Sequence, residues 1–406
     1  MLVTHDLSIE NEISKGRRGV IKLGLERIKS CLEYLDNPQE KFKSILIGGT
    51  NGKGSVTFYL SNLLCKFTEY KVGRYISPHL VLWDERFVID EKIVDHDLLE
   101  NISKEALEKI ASFENKTGER LSEFEIYTII AFYLFAKEKV DIACLEVGMG
   151  GRLDAINVVS SQNTLCSIIT NVSLDHMKYL GKTIEKIAFE KAGIIKESNY
   201  IVTGAEDKAL QVIKDVSKKL NSHCIHVETN DCIFYQDKNI KITQTVWKLI
   251  SQSINVEKFL SSLQFPGRFQ YMEKHNLLLD GAHNPQAAYE LRKLLDKKFK
   301  SKEIVYIIGM LDKDSESFIR NLLPNGSYVI CTEPVSSRAT KKEMLAECIL
   351  RIAGKPILAN NLLSSIEKAK VLEHDLIVIT GSLYLVGEAL ELIDSKQIPE
   401  TALEYN

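Results

Sequence analysis

The chain has no excess of either charge: basic and acidic side chains nearly cancel, leaving a formal charge of −3 over 406 residues. No whole-molecule field can therefore recruit nucleic acid or an anionic membrane, and any anionic ligand must be held by local design. Cysteine pairs are also missing. Cys31, Cys65, Cys144, Cys166, Cys224, Cys232, Cys331 and Cys348 are scattered with no CxxC spacing, which argues against a disulfide framework and fits reduced thiols. Long apolar runs are absent as well. The longest, Ile126 to Ala136, is too short to span a bilayer and reads as a buried helix. The opening MLVTHDLSIENEISKGRRG lacks the apolar core of a secretory signal. The expectation is a cytoplasmic protein with no internal repeat or low-complexity linker.

What is present is length and alternation. At 406 residues two domains with a cleft between them are expected. Periodicity predicts helices at Ile21–Leu35, Lys53–Phe67, Leu98–Phe113, Glu123–Lys137 and Ile184–Ile195. It predicts strands at Ser44–Ile47, Val72–Ile76, Val140–Val147 and Thr164–Thr170. Between Asn199 and Val256 the pattern blurs. After Pro266-Gly267 a second series opens, with strands at Asn276–Leu279, Ile304–Ile308, Tyr328–Cys331 and Leu376–Thr380. Its helices fall near Pro285–Phe299, Lys341–Ile352, Ser364–Val371 and Leu385–Ile393. Strand-helix alternation implies largely parallel sheets. The fold expected is α/β: a P-loop-type, mostly parallel-sheet ATPase domain (residues 1–267) followed by a smaller Rossmann-like α/β domain (residues 268–406).

The apolar Ile45-Leu46-Ile47 runs into Gly48-Gly49-Thr50-Asn51-Gly52-Lys53-Gly54-Ser55 and then into the amphipathic Val56–Leu64. Strand, glycine-rich turn and helix are the context a phosphate loop requires. Glycines let backbone N–H groups crowd around phosphate oxygens, the helix N-terminus adds partial positive charge, and Lys53 reaches the terminal phosphates. A nucleoside triphosphate is the ligand expected. Gly54, standing between Lys53 and Ser55, breaks the common GxxxxGK[ST] spacing. A glycine-rich turn without ligand is the alternative.

Gly49–Ser55 resembles the form this loop takes in the Mur ligase superfamily, and in particular in folylpolyglutamate and dihydrofolate synthases. Ser77-Pro78-His79-Leu80 with Glu85-Arg86-Phe87 resembles that family's SPHL...ER segment, and Glu146–Ala155 its EVGxGGRLDA segment. Leu174-Asp175-His176, Glu190-Lys191-Ala192-Gly193-Ile194, Pro266-Gly267-Arg268-Phe269, Asp280–Pro285 and Gly381-Ser382 follow in family order, so the likeness runs from about Leu23 to Leu385. The resemblance implies an ATP- and Mg²⁺-dependent ligase that joins L-glutamate to a folate or dihydropteroate carboxylate through an acyl phosphate, acting as a monomer. Amide formation from a carboxylate needs an activated acyl group, and phosphoryl transfer needs a cation to neutralise developing charge, so a Mg²⁺ site is expected.

By the same resemblance Thr50, Asn51, Gly52, Lys53, Gly54 and Ser55 hold ATP, with Arg268 reaching the phosphates and Asp280 lying near the ribose or the incoming glutamate. Ser77, Glu146 and His176 are the implied ligands of a first Mg²⁺. Lys191 is implied to be carbamylated by CO₂ and to bind a second. Phe124, Arg152, Asp154 and Ala155 are implied to line the pterin pocket, while His283 and Ser382 serve the glutamate end and His283 takes the amine proton. Asn239 is the nearest match to a family asparagine that contacts adenine, although its neighbours Lys238, Ile240 and Lys241 depart from the pattern. Other departures are Ile156, where the family usually carries threonine, and a region between Ile201 and Asn239 that is shorter than the resemblance implies.

Taken singly, each residue also has a plain reading. Ser77 suits a helix cap, Glu146 an exposed strand-end carboxylate and His176 a satisfied loop histidine. On composition, Lys191 is a solvated lysine beside Glu185, Lys186 and Glu190. Phe124 is an ordinary apolar residue at a helix start, and Asp280–Pro285 a routine strand-to-helix turn. His223-Cys224-Ile225-His226 with Cys232 imitates metal-ligand spacing, but its alternation suits a strand. Two rival functions remain: a cell-wall Mur ligase and a silent ATP-binding scaffold.

Overall fold

The computed structural model describes residues 8–17, 22–251, 255–311 and 314–395. The described chain divides into two compact units. One comprises most of the chain up to Leu263; the other comprises Gln264 onward together with Leu80–Leu82.

The first unit is built on an eight-stranded sheet. Its strands are β1 (Lys43–Gly48), β2 (Val72–Tyr75), β3 (Phe87–Ile89), β4 (Lys92–Ile93), β5 (Ile142–Glu146), β6 (Thr164–Ile169), β7 (Tyr200–Thr203) and β8 (His223–His226). They lie in the order β4-β3-β2-β5-β1-β6-β7-β8. The six from β2 to β8 are parallel, and the β3–β4 hairpin pairs antiparallel at the edge. Side chains of a strand alternate between faces, so a sheet covered by helices on both sides needs apolar residues at nearly every position. In β1, Leu46 enters one core beneath the helix Glu123–Lys137, while Ile45 and Ile47 enter the other with Val56, Leu60 and Trp247.

Helix Glu123–Lys137 is apolar all round because it is buried all round, as its long apolar run predicts. Its start is fixed by a capping box: Ser122 Oγ accepts the Glu125 N–H at 3.3 Å, and Glu125 Oε2 accepts the Ser122 N–H at 2.7 Å. Lys139, in the left-handed region at φ 54°, turns the chain back into β5 just after the helix ends.

The second unit carries β9 (Gln270–Met272), β10 (Leu277–Leu279), β11 (Ile304–Ile308), β12 (Tyr328–Cys331), β13 (Lys355–Leu358) and β14 (Leu376–Thr380) in the order β13-β12-β11-β14-β10-β9. All pairings are parallel except β9 with β10. Again alternate residues feed two cores: Tyr306 and Ile308 one, Val305 and Ile307 the other. Both units are therefore α/β, as expected.

The helix expected at Ile21–Leu35 is shorter, Glu26–Tyr34, and Ile21 lies outside the described residues. The blurred stretch resolves into β7, a helix Asp207–Lys219, β8 and a helix Tyr235–Ile250. The His223–His226 segment is indeed a strand. Among the described residues no helix is long and apolar enough to cross a membrane.

Candidate active site

In parallel α/β sheets, the carboxyl ends of neighbouring strands deliver their following loops to one edge. Here β2, β5, β1 and β6 are consecutive, and each is followed by a segment singled out from the sequence. Ser77 comes after β2, Glu146 ends β5, Gly49–Ser55 follow β1, and Asp175-His176 lie on the loop beyond β6. Register sets Ile47 of β1 opposite Glu146, so this carboxylate stands beside the glycine-rich turn. The Ser77 N–H donates to Glu146 Oε2 at 3.1 Å. Glu146 is only 6 % exposed, which corrects the reading of an exposed strand-end carboxylate. His176 sits in the left-handed region at φ 49°, with its Nε2 at 3.8 Å from Asp175 Oδ2.

The turn itself opens onto the helix Lys53–Phe67, whose first-turn N–H groups have no acceptor one turn earlier. Gly52 has φ +83°, and a Cβ there would stand 2.3 Å from Asn239 Oδ1. Asn239 therefore packs directly on the loop, despite its unfamiliar neighbours, because the helix Tyr235–Ile250 lies along the helix Lys53–Phe67. Lys53 Nζ donates to the Thr50 carbonyl at 3.2 Å.

Lys191 is where composition misleads most. It is 4 % exposed rather than solvated, and its Nζ donates to the Gly49 carbonyl at 2.7 Å. Burial, and then the charge of Lys53, lower its pKa to about 7. The helix Ile184–Ala192, capped by Thr183 through the Lys186 N–H, carries it there. At the end of that helix Gly193 meets the Arg152 backbone, where a Cβ would stand 2.3 Å from Arg152 Cα. The two glycine-bearing motifs thus interlock.

Around this junction lie the other first-unit candidates. Asp154 is buried and caps the short turn Ala155–Val158, its Oδ2 accepting the Met149 N–H at 2.8 Å and its Oδ1 the Ile156 N–H at 3.2 Å. Burial raises its pKa to about 6 against the pull of those N–H groups and of Lys53. Phe124 packs on Gly148, where a Cβ would come within 2.5 Å of its Cζ. Arg152 is tied to Glu190 Oε1 at 2.9 Å and lies over the Phe189 ring, while Ala155 is buried in the core.

A second group gathers on the second unit. Asp280 follows β10 and locks its turn: Oδ2 accepts the Phe269 N–H and Oδ1 the Ala282 N–H, both at 2.8 Å. This holds the residue after Arg268, whose Nη1 lies where a Cβ on Gly281 would come within 2.6 Å. His283 Nδ1 is 2.9 Å from the Gly281 carbonyl. A carbonyl only accepts, so Nδ1 carries a proton, and in the neutral ring Nε2 is then the acceptor. Ser382 caps the helix Leu383–Asp394, its Oγ accepting the Leu385 N–H at 3.1 Å.

Two sets of contacts could not be read from the sequence. Arg86 is buried over the Tyr127 ring and donates from Nε to His79 Nδ1 at 3.0 Å, bracing the segment after Ser77. Residues Thr170–Ser173, which lie outside the segments singled out from the sequence, line the phosphate loop from the β6 side. Among the described residues no group of three or more His, Cys, Asp and Glu side chains converges as a metal site. The expected ligand set contains only two such residues, Glu146 and His176.

Comparison with known proteins identifies the family. Residues 47–278 match the Mur ligase middle domain and residues 267–392 the C-terminal domain of dihydrofolate synthetase. The chain is 32 % identical to the dihydrofolate synthetase of Saccharomyces cerevisiae, covering 92 % of this chain and 99 % of that protein. The folylpolyglutamate synthase of Mycobacterium tuberculosis complexed with ADP superposes with a TM-score of 0.87 at 29 % identity, over 95 % of this chain and 97 % of that one. The bifunctional folylpolyglutamate synthase/dihydrofolate synthase of Yersinia pestis, complexed with AMPPNP and Mn ion, gives 0.80 at 26 % identity, over 94 % and 96 %. A cell-wall ligase is thereby set aside, and the chain belongs to the folylpolyglutamate synthase/dihydrofolate synthase family of ATP-dependent glutamate ligases, with a Mur ligase middle domain.

Proposed function

We propose that this protein adds L-glutamate to both dihydropteroate and reduced folates, using ATP and Mg²⁺ through an acyl-phosphate intermediate. The observation that carries the reading is the buried Lys191 amine set against the Gly49 carbonyl of the phosphate loop. With a pKa of about 7 a large fraction of it is neutral at physiological pH. A neutral amine reacts with CO₂, releasing a proton and leaving a carbamate, which turns a cation into an anionic oxygen ligand.

The residues suit a hard divalent cation, since the Glu146 carboxylate and Ser77 lie together at one strand edge. Ser77, Glu146 and His176 would hold one Mg²⁺ and carbamylated Lys191 a second, which when bound neutralise phosphate charge during transfer. The protein's own groups do the rest. Thr50, Asn51, Gly52, Lys53, Gly54 and Ser55 cradle the phosphates, Asn239 borders the base, and Arg268 supplies further positive charge. Phe124, Arg152, Asp154 and Ala155 form the acceptor's pocket. The acceptor carboxylate attacks the γ-phosphate and expels ADP; the glutamate amine then attacks the acyl carbon and expels phosphate, with His283 Nε2 taking the amine proton. Asp280 and Ser382 shape the loops around His283, and the cytoplasm supplies all three substrates to a monomer.

Purified protein with ATP, Mg²⁺ and L-glutamate, offered dihydropteroate or tetrahydrofolate separately, tests this by mass spectrometry. One added glutamate on each acceptor is expected. Product from tetrahydrofolate alone would remove the dihydrofolate synthase half, and ADP release without any acceptor would sink the ligase reading.

A further inference from the structure

We propose that Thr170 and Asn171 are positioning residues that hold the phosphate loop in its nucleotide-binding shape and so set the affinity for ATP. β6 ends at Ile169, and the next residues run against Gly48–Asn51. The Thr170 N–H donates to the Gly48 carbonyl at 3.0 Å and the Thr50 N–H to the Asn171 carbonyl at 2.9 Å. Side chains add to these backbone bonds. Asn171 Oδ1 accepts the Asn51 N–H at 2.9 Å, and Thr170 Oγ1 donates to the Asn51 carbonyl at 2.6 Å. Beyond them the Ser173 N–H donates to Thr50 Oγ1 at 3.0 Å.

These bonds engage the polar groups of the loop's first half. Anchored there, the chain enters the helix with the N–H groups of its first turn left for an anion. The loop needs this help because two of its residues, Gly49 at φ +137° and Gly52 at φ +83°, occupy left-handed backbone. Glycine reaches such angles freely but also leaves them freely, so something else must hold it. Gly49 is pressed so closely that a Cβ would stand 1.9 Å from Thr170 Oγ1. Removing one clamp leaves the loop in its binding shape only part of the time, and apparent affinity falls by that fraction.

The inference rests on Gly49–Ser55 being the nucleotide loop. It is tested by calorimetric titration of full-length wild type, Thr170→Ala, Thr170→Ser, Asn171→Ala and Asn171→Asp with Mg·ADP, alongside thermal unfolding and steady-state kinetics. A lost hydrogen bond of this kind predicts roughly 5- to 10-fold weaker ADP binding for each alanine variant. Thr170→Ser should return to within about twofold of wild type, because it restores only the hydroxyl. KM for ATP should follow ADP affinity while KM for glutamate stays unchanged. ADP affinity within twofold of wild type in the alanine variants, or a serine variant as weak as alanine, would overturn the proposal. If Asn171→Ala does not fold, the Thr170 pair decides alone. Wild type that fails to bind ADP would overturn the nucleotide reading, and this inference with it.

Discussion

Replacing Lys191 by methionine should stabilise the unmodified protein, and by an amount that depends on pH. In the folded chain the amine titrates near 7, lowered chiefly by burial and then by Lys53, against an ordinary value of 10.5. Between those values the unfolded chain holds a proton that the folded chain has released, so stability rises with pH across this window. The penalty is complete below pH 7 and vanishes above about pH 10.5. The gap between the two values corresponds to roughly 5 kcal/mol. From pH 6.5 to pH 9.5 the wild type should recover about 3 kcal/mol of it. Methionine keeps the length of the stem and removes the titration. Urea unfolding in CO₂-free buffer, followed by tryptophan fluorescence, is a suitable assay, because Trp83 and Trp247 are both buried in the first unit. The advantage of Lys191→Met should be about 3 kcal/mol larger at pH 6.5 than at pH 9.5. An equal difference at the two pH values would mean that Lys191 titrates as a solvated lysine, and the argument for carbamylation would lose its footing.

Gly52→Ala forces a Cβ against Asn239 and holds a non-glycine residue at φ +83°, so Mg·ADP affinity should fall at least about tenfold with the fold intact by circular dichroism. Gly148→Ala pushes on the Phe124 ring; KM for the folate acceptor should rise while ADP affinity, measured separately, holds. Phe132→Ala empties a fully buried site in the core that also holds Leu46, and chemical denaturation should show a loss of about 3–5 kcal/mol.

Long periodic segments were legible because local pattern and burial agree in them. The helices Lys53–Phe67 and Glu123–Lys137 and the strands Ile304–Ile308, Tyr328–Cys331 and Leu376–Thr380 fall where apolar periodicity puts them. What escaped was short or carried mixed signals. β13 contains Pro356, which a strand tolerates only at an edge, and β13 is an edge. The β3–β4 hairpin is too brief for any period to register. In the site, motif residues could be named in advance, but their environments could not. Lys191 sits among charged neighbours along the chain, and it is buried because its helix packs behind a loop far away in sequence. Asn171 lies outside the segments singled out from the sequence, and its bond to Asn51 joins residues 120 positions apart. Ser382 and Asp280 proved to bind backbone N–H groups, capping a helix and locking a turn, which composition alone does not distinguish from facing a ligand.

If the acceptor carboxylate is activated by phosphoryl transfer, one of its oxygens must end in the released phosphate, and isotope transfer follows that atom. Tetrahydrofolate labelled with ¹⁸O in both glutamate carboxylates is turned over with ATP, Mg²⁺ and L-glutamate, and the released phosphate is examined by mass spectrometry. An acyl phosphate passes one labelled oxygen to each phosphate formed. Phosphate free of label, released in step with amide product, would contradict the mechanism.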